Sequence, residues 1–340
     1  MSRNQHSSRC TNMLNPKTFS IFSGIIILCV VLFIVISNLD THDSTLDKAS
    51  EQETSKKSEV VVINGKEYVP KKNIETYLFI GVDSLDKVHK VTEYDGTGQC
   101  DFLTLLVRDL NDGTFRTLSI DRNTMADVKS LDYDNSYLDT SRIQLSFAHA
   151  NGDGLEASCE NTVDAVSGLL GGQKIDAYAA VNMGAISIIN NLAGGVTVTI
   201  EDDFSKVDPS LKIGETLTLT DEQAVHFVHD RFDVGDETNE CRMRRQSMYM
   251  TDLKKKLRAK CSEDNSYPVK IYESLGDYMV TSLTSSKFSK IAMLVLNEKD
   301  QGELHIEGTN SIDELGFVAF EPDEYSLNEV IATLFYEENK

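Results

Sequence analysis

The sequence Phe102-Leu-Thr-Leu-Leu-Val-Arg-Asp-Leu-Asn-Asp-Gly-Thr-Phe-Arg-Thr-Leu-Ser-Ile120 holds two short apolar runs on either side of an Asn-Asp-Gly turn. Runs of this length joined by such a turn predict a β-hairpin, with strands at Phe102–Val107 and Thr114–Ile120. The two strands are antiparallel, because a short turn reverses the chain. Any sheet that this chain builds therefore contains antiparallel pairing.

Strands and helices alternate on both sides of this hairpin. Further apolar strand runs lie at Tyr77–Val82, Tyr178–Val181 and Val196–Ile200, and a helical pattern from Ala185 to Leu192 separates the last two. Such alternation is typical of helices packed on a sheet. Together with the hairpin, it predicts an α/β fold with a mixed central β-sheet flanked by helices.

Spacing and capping residues predict the other helices. They run from Ser158 to Gly171, from Thr220 toward Arg231, from Arg242 to Lys260 and from Ser326 toward Phe335. Thr220 and Gln223 match the capping box, in which a Thr at the N-cap and a Gln three residues later satisfy two backbone N–H groups. This helix start is therefore the most specific one in the sequence.

The N-terminal region predicts a membrane anchor. Residues 18–39 are apolar almost throughout and have the length of about 20 residues that a bilayer-spanning helix needs. Basic residues precede this segment and acidic residues follow it, which keeps the N-terminus in the cytoplasm. The alternative is a cleaved signal peptide, whose apolar region would be shorter, about 7–15 residues. We therefore expect a single-pass protein of the cell membrane, with a cytoplasmic tail at 1–17, a membrane helix at 18–39, an extracellular stalk at 40–59 and an extracellular domain at 60–340.

Charge and motif content exclude two classes of function. The formal net charge is −21 and the isoelectric point is near 4.7, whereas a nucleic-acid partner requires a basic face. The sequence has no Walker loop, no Gly-x-Gly-x-x-Gly turn, no His-Glu-x-x-His helix and no Gly-x-Ser-x-Gly elbow. We therefore expect neither a nucleic acid nor a nucleotide as a partner.

Aspartates and arginines stand at the ends of the predicted elements. Asp83 directly follows a strand, Asp101 directly precedes one and Arg122 lies just beyond a third, while Arg231 is at the end of its helix. Any one of these residues could form a surface salt bridge of little energetic consequence. Their shared position at element ends indicates a common charged site.

A group of arginines opens the following helix. Arg242, Arg244 and Arg245 oppose the partial positive charge of a helix N-terminus, a costly placement unless an anion binds there. Arg242 and Arg245 are three positions apart and share one helix face, so they could hold one phosphate group together. The pattern favours an anion site, although a chance cluster would look the same.

The order of these segments resembles the LytR–CpsA–Psr family of bacterial cell-envelope proteins. The matching stretches are Phe79-Ile-Gly-Val-Asp-Ser84, Asp101-Phe-Leu-Thr-Leu-Leu-Val107, Leu118-Ser-Ile-Asp-Arg-Asn-Thr124, Leu192-Ala-Gly-Gly-Val-Thr-Val198, Leu217-Thr-Leu-Thr-Asp-Glu-Gln-Ala224 and Arg242-Met-Arg-Arg-Gln246. They define a core at about 75–258, followed by a C-terminal extension at 259–340. Each stretch is weak alone, but their common order and spacing make the resemblance specific.

The resemblance implies an activity and a set of partners. Members of the family transfer a glycopolymer phosphate from a polyprenyl-pyrophosphate carrier to a peptidoglycan hydroxyl, and some hydrolyse the pyrophosphate. The alternatives for this chain are a polyprenyl-pyrophosphate phosphatase that uses the same site, and a non-catalytic envelope protein that binds lipid-linked glycan or regulates wall assembly. Which glycopolymer is moved, teichoic acid, capsule or another, is left open.

The same resemblance assigns roles to individual residues. Asp83 and Asp101 would hold Mg²⁺ against the pyrophosphate, as expected for a cation that takes one or two carboxylates plus substrate oxygens. The pyrophosphate oxygens would be bound by Arg122, Arg231, Arg242, Arg245 and Gln246. The catalytic set would be Arg122 with Asp233 and Asp236, which lie in the loop where the family often has an acidic residue.

The sequence departs from the family at several of these positions. Gln99 and His229 stand where the family usually has arginines, Asn123 replaces an aspartate, and Cys241 replaces a glycine. The phosphate site has thus lost up to two cations, which implies a different substrate, slower chemistry or binding without turnover.

Four cysteines lie in the predicted extracellular domain, namely Cys100, Cys159, Cys241 and Cys261. An oxidising compartment permits three disulfide pairings among them, and spacing alone does not choose between a bridge and free thiols. Because Cys100 and Cys241 both adjoin segments of the implied site, we hypothesise that they bond to each other.

Overall fold

The structure is a computed structural model that describes residues 60–92, 96–132, 134–237, 239–312 and 318–339. The predicted tail, membrane helix and stalk at 1–17, 18–39 and 40–59 lie outside the described residues. Within them, no helix combines the length and the apolar character needed to cross a bilayer.

The described residues alternate between strands and helices. In chain order the strands are β1 (Val61–Ile63), β2 (Lys66–Pro70), β3 (Ile74–Val82), β4 (Cys100–Asp109), β5 (Thr114–Ile120), β6 (Met125–Leu131), β7 (Tyr137–Gln144), β8 (Ala177–Asn182), β9 (Thr197–Thr199), β10 (Thr216–Thr218), β11 (Met279–Thr281), β12 (Lys299–His305), β13 (Gly308–Ile312), β14 (Val318–Pro322) and β15 (Tyr336–Glu338). The helices are α1 (Phe147–Ala150), α2 (Glu156–Leu169), α3 (Ala185–Ala193), α4 (Asp221–His229), α5 (Asn239–Glu263), α6 (Tyr267–Ser274), α7 (Ser285–Asn297) and α8 (Glu324–Phe335), with a 3₁₀ turn at Gly276–Tyr278.

Six strands form the central sheet, in the order β11-β8-β3-β4-β5-β12. Strand β3 runs parallel to β8, β5 runs parallel to β12, and β4 is antiparallel to both of its neighbours. The predicted hairpin is the β4–β5 pair, with Leu103 opposite Ile120. The prediction of a mixed central sheet flanked by helices is therefore confirmed.

Helices cover both faces of this sheet. Tyr77 and Phe79 of β3 pack into a core with α3, α4 and α5, whereas Leu78 and Ile80 pack into a second core with α2 and α8. Because β3 is buried on both faces, its sequence is a continuous apolar run rather than an alternating one. Each fully buried side chain of this size contributes roughly 1.5–3 kcal/mol to the free energy of unfolding.

The C-terminal segment completes the sheets. Strand β12 adds an edge to the central sheet beside β5, and β15 pairs with β2. Helix α8 places Val330, Ile331 and Leu334 in the second core. Strands β12 and β15 and helix α8 are thus packed against earlier elements of the described chain.

Helix starts follow the sequence at two sites and differ at three. Helix α3 begins at Ala185, as predicted. Thr220 and Gln223 form the predicted capping box, with Oγ1 of Thr220 accepting from the Gln223 N–H at 3.2 Å. The start predicted at Ser158 is wrong, because α2 begins at Glu156 and the buried Ser158 Oγ accepts from the Gly154 N–H at 2.7 Å. The last helix is capped by Asp323, not by Ser326. Helix α5 begins at Asn239, three residues earlier than predicted.

Candidate functional site

Three of the predicted site residues meet at one edge of the central sheet. Asp83 follows the last residue of β3, Asp101 is the second residue of β4, and Arg122 lies two residues beyond β5. Because β4 is antiparallel to both β3 and β5, its first residues lie beside the last residues of its neighbours: Cys100 is opposite Val82, and Leu103 is opposite Ile120. We call Asp83, Asp101 and Arg122 the edge cluster.

Arg122 connects this cluster through its guanidinium. One Nη donates to the Asp101 carboxylate in an ion pair, and the other Nη donates to Oε1 of Gln99 at 2.5 Å. The Gln99 main-chain oxygen in turn accepts from the Asp83 N–H at 2.9 Å. The side chains of Arg122 and Asp101 are 24% and 14% exposed, so their charges are only partly solvated.

One further arginine, Arg242, lies near the edge cluster, and Arg231 lies near Arg242. Burial lowers the pKa of Arg242 and the charge of Arg231 acts in the same direction, whereas the carboxylates of Asp101 and Asp83 oppose this shift. Arg242 therefore lies within electrostatic reach of both aspartates and of Arg231. The Arg231 guanidinium lies 4.4 Å from the centre of the Phe232 ring.

Two of these arginines carry unused donors. The Nε atoms of Arg122 and Arg231 are buried and make no hydrogen bond within the part of the chain that the structure describes. A buried donor without a partner costs about 1–3 kcal/mol, which a bound anion with several oxygens would offset. The arginines thus fit a phosphate or pyrophosphate group.

Burial raises the pKa of Asp101 to about 6, and the neighbouring Asp83 charge adds to the shift, while Arg122 and Arg242 reduce it. Two carboxylates in this proximity repel each other unless a cation neutralises them.

Asp83 and Asp101 also fit a magnesium ion by their chemistry. Mg²⁺ takes hard oxygen ligands and is commonly bound through one or two carboxylates together with substrate phosphates. Among the described residues, no group of three or more histidine, cysteine, aspartate or glutamate side chains could hold a metal without help. The pair therefore suits an ion that arrives with an anionic substrate rather than a closed structural site.

The structure gives Arg245 and Gln246 other partners than the predicted pyrophosphate. Arg245 is 2% exposed, and its guanidinium donates to Asp202 and to the main-chain oxygens of Phe227 and Asp230. Gln246 donates to the Val228 oxygen at 3.1 Å. Both side chains fasten α5 to the end of α4. Arg245 lies on the same face of α5 as Arg242, as predicted, but the contacts of Arg245 lie in the protein interior.

The loop between α4 and α5 carries the two aspartates predicted as catalytic. Asp233 has a φ of 60° and pairs with Lys206 at 2.7 Å, in a bridge whose two side chains are more than half exposed. Asp236 is exposed as well. The contact of Asp233 with Lys206 does not join this loop to the edge cluster, and the catalytic assignment of both aspartates still rests on the family resemblance.

Asp230 is a site-adjacent residue that the sequence did not single out. Its two carboxylate oxygens bind Nδ1 of His226 at 2.7 Å and Nδ1 of His229 at 2.8 Å. Burial alone would raise the pKa of Asp230, but the hydrogen bonds from His229 and His226 outweigh it and lower the pKa. The spacing His226-x-x-His229-Asp230 was visible in the sequence, yet nothing in it indicated that one carboxylate would bind both rings.

The hypothesis of a Cys100–Cys241 disulfide is wrong in this structure. Cys100, Cys159, Cys241 and Cys261 are all buried, and none of them is in a disulfide. The Cys100 Sγ donates to the main-chain oxygen of Leu145 at 3.2 Å. Proximity to site segments therefore reflected packing in the core and not a covalent bridge.

The sequence of this chain is similar to one known protein family. The sequence model of the LytR_cpsA_psr family matches residues 34–335. No curated protein sequence matches the chain.

Several solved structures share the fold. Bacillus subtilis TagV aligns with a TM-score of 0.55 and 21% identity, covering 78% of this chain and 96% of TagV. A Streptococcus agalactiae protein aligns with a TM-score of 0.55 and 21% identity, covering 77% of this chain and 87% of the other. TagT bound to LI-WTA aligns with a TM-score of 0.52 and 19% identity, covering 77% and 90%. The likeness at this level of identity is one of fold.

Proposed function

The chain belongs to the LytR–CpsA–Psr family, and from this we propose that it transfers a glycopolymer phosphate from a polyprenyl-pyrophosphate carrier to a peptidoglycan hydroxyl, with Mg²⁺. Members of the family attach glycopolymers to the cell wall. The observation that carries the proposal is the edge cluster, where two aspartates and Arg122 meet near Arg242, which in turn lies near Arg231.

The charge pattern of this site suits a pyrophosphate. Arg122, Arg231 and Arg242 would bind its oxygens, and the buried Nε donors of Arg122 and Arg231 would gain acceptors. Phosphoryl transfer is catalysed mainly by positioning and by neutralising charge that spreads over the phosphoryl oxygens. TagT, which shares the fold, was solved bound to LI-WTA, and this supports a related ligand here.

Asp83 and Asp101 would hold the magnesium ion. When bound, Mg²⁺ supplies a compact positive charge that neutralises the two carboxylates and the substrate oxygens together. For Asp101 to bind a cation, its ion pair with Arg122 has to be rearranged, and a pyrophosphate oxygen would replace the carboxylate as the partner of the Arg122 guanidinium.

The proposed reaction balances without a nucleotide. The acceptor hydroxyl oxygen attacks the phosphorus that carries the glycan. The bond between this phosphorus and the bridging oxygen of the pyrophosphate breaks. The bridging oxygen leaves with the electron pair as part of the lipid phosphate. The acceptor proton goes to a carboxylate, for which Asp233 and Asp236 remain the candidates. The energy comes from the anhydride bond of the carrier.

The proposed location follows from the sequence. A single membrane helix at 18–39 would hold the domain at 60–340 on the outer face of the cell membrane, where both the lipid carrier and peptidoglycan are within reach.

The first test is a transfer assay with the full chain in detergent, Mg²⁺ and a short-chain polyprenyl-pyrophosphate glycan, with and without peptidoglycan fragments. We expect glycan joined to peptidoglycan through a phosphate. Arg122→Ala should lower the rate roughly a hundredfold or more, the usual effect of removing a group that stabilises charge in the transition state.

The matched control is Arg142→Ala, which removes an arginine of β7 that pairs with Glu321 on the surface. It should leave the rate unchanged. Lipid phosphate released without an acceptor would identify a phosphatase instead, and tight binding without turnover would identify a binding protein. Equal rates in Arg122→Ala and in the unmodified chain would rule out the edge cluster as the site.

A further inference from the structure

We propose that Gln99 is a positioning residue, which fixes the Arg122 guanidinium beside the two aspartates of the edge cluster. The contact that carries this inference is the hydrogen bond from Arg122 Nη2 to Gln99 Oε1, at 2.5 Å. The anion that Arg122 would bind follows from the proposed function, but the positioning itself does not depend on it.

The two contacts of the guanidinium define its orientation. Nη1 donates to Asp101 and Nη2 donates to Gln99, so both ends of the planar group are fixed and rotation about its Nε–Cζ bond is blocked. The buried Nε of Arg122 has no hydrogen bond within the described residues. A guanidinium has five N–H donors in a rigid fork, and fixing two of them directs the others.

Gln99 is itself held by its main chain. Its oxygen accepts from the Asp83 N–H at 2.9 Å, and the preceding Gly98 donates to the Asp83 oxygen at 3.1 Å. The Gly98 oxygen accepts from Nδ1 of His149, a ring that is 4% exposed, at 2.9 Å. Burial lowers the pKa of His149 to about 4, so the ring is neutral at pH 7 and carries its proton on Nδ1. The amide of Gln99 thus extends from a rigid support that also carries Asp83.

A neutral acceptor suits this task better than a charged one. A glutamate at position 99 would give Arg122 a second ion pair and cancel the charge needed for an anion. An arginine there has no acceptor atom and would repel Arg122. The amide oxygen fixes the guanidinium while leaving its net charge unneutralised. Position 99, where the family usually has an arginine, has therefore changed its role and has not simply lost a cation.

The test compares three variants of the full chain in detergent, with arginine side chains labelled with ¹⁵N. Gln99→Leu removes the acceptor, Gln99→Glu keeps it, and Gln173→Leu is the control. Gln173 is likewise half-buried and hydrogen-bonded, but to Tyr336 Oη. The readout is the set of Nη–H resonances of Arg122, assigned by their disappearance in Arg122→Lys.

We expect separate, slowly exchanging Nη resonances for Arg122 in the unmodified chain, in Gln173→Leu and in Gln99→Glu. In Gln99→Leu they should merge into one averaged signal, while those of the buried Arg245 stay unchanged. Arg122 signals that are the same in Gln99→Leu and in the unmodified chain would overturn the proposal, since a residue that acts only through its main chain would not affect them.

A second arm separates this proposal from the proposed function. In a titration with Mg²⁺ present, inorganic pyrophosphate should bind roughly tenfold more weakly to Gln99→Leu, which no longer positions Arg122. It should also bind roughly tenfold more weakly to Gln99→Glu, whose added carboxylate neutralises the charge of Arg122. Gln99→Arg should also bind more weakly, and stronger binding would overturn the positioning role. If the unmodified chain binds no pyrophosphate, the proposed function fails, and the arginine resonances alone decide the role of Gln99.

Discussion

Asp101 combines burial, a like charge from Asp83 and an ion pair with Arg122 at one carboxylate. Burial raises its pKa to about 6 and the charge of Arg122 limits the increase, so removing that charge should raise the pKa further. We expect a carboxyl ¹³C titration of Asp101 with a midpoint near 6, assigned with Asp101→Asn, and a clearly higher midpoint in Arg122→Ala. A midpoint near the ordinary value of about 4 in both proteins would show that the carboxylate is solvated.

The raised pKa of Asp101 also determines how this residue's contribution to the free energy of unfolding changes with pH. Between about pH 4 and pH 6 the folded chain holds a proton on Asp101 that the unfolded chain has released, so this contribution to the free energy of unfolding falls as the pH rises through that window. A difference of about two pKa units corresponds to about 3 kcal/mol at most. Asp101→Asn should lack this fall.

The edge cluster shows which site residues a sequence can predict. Asp83, Asp101 and Arg122 lie at the ends of three strands whose pairing follows from one hairpin and one apolar run, so their meeting was predictable from sheet topology. Arg245 and Gln246 were not, because a helix pattern defines which residues share a face but not what packs against that face. The partner Asp202 is 43 positions from Arg245, and no sequence signal connects them.

At the scale of elements, Arg245 and Asp202 join α5 to the segment that follows β9. Their ion pair, at 3.0 Å, has side chains only 2% and 5% exposed. Arg244 also pairs with Asp202, at 2.6 Å, so this carboxylate keeps one cation in Arg245→Met. The main-chain oxygens of Phe227 and Asp230 lose their donor, and the free energy of unfolding should fall by about 1–3 kcal/mol. Urea unfolding measures this, with Arg242→Met as the comparison, which should lose anion affinity with a much smaller loss of stability.

A double-mutant cycle separates this structural role from anion binding. The losses of stability in Arg245→Met and in Asp202→Asn should together exceed the loss in the double variant, because both single changes break the same ion pair. If Arg245→Met is as stable as the unmodified chain but binds pyrophosphate poorly, Arg245 belongs to the anion site after all.

The sequence predicted some strands and helices better than others. Strands β3, β4 and β5 are buried on both faces and therefore read as apolar runs, and their predicted positions agree with the structure to within three residues at each end. Strand β7 is exposed along most of its length, so its sequence carries no apolar alternation and it was not predicted. The helix start predicted at Ser158 was wrong because a serine in this sequence pattern can either cap a helix or lie buried inside it.

For the whole molecule, the buried thiols give a test of both topology and disulfide state. Cys100, Cys159, Cys241 and Cys261 are at most 5% exposed, and burial raises the pKa of the Cys100 thiol to about 12 and that of the Cys261 thiol to about 11. Maleimides react with exposed thiolates. The folded domain should therefore resist a membrane-impermeant maleimide coupled to polyethylene glycol, even where the reagent has full access to it.

An added thiol then reports on which side of the membrane the domain lies. Ser136 is exposed in the turn between β6 and β7, so in a Cys10→Ser background Ser136→Cys should gain one label on intact cells while its parent gains none. Labelling that requires permeabilised cells would contradict the predicted extracellular domain. After denaturation without reductant, the Cys10→Ser parent should react at all five remaining cysteines, Cys29 and the four buried ones, because none of the four is in a disulfide. Only three reacting thiols would reveal a disulfide. They would return the Cys100–Cys241 hypothesis to consideration, since such a bond would hold the start of β4 against α5 across the proposed site.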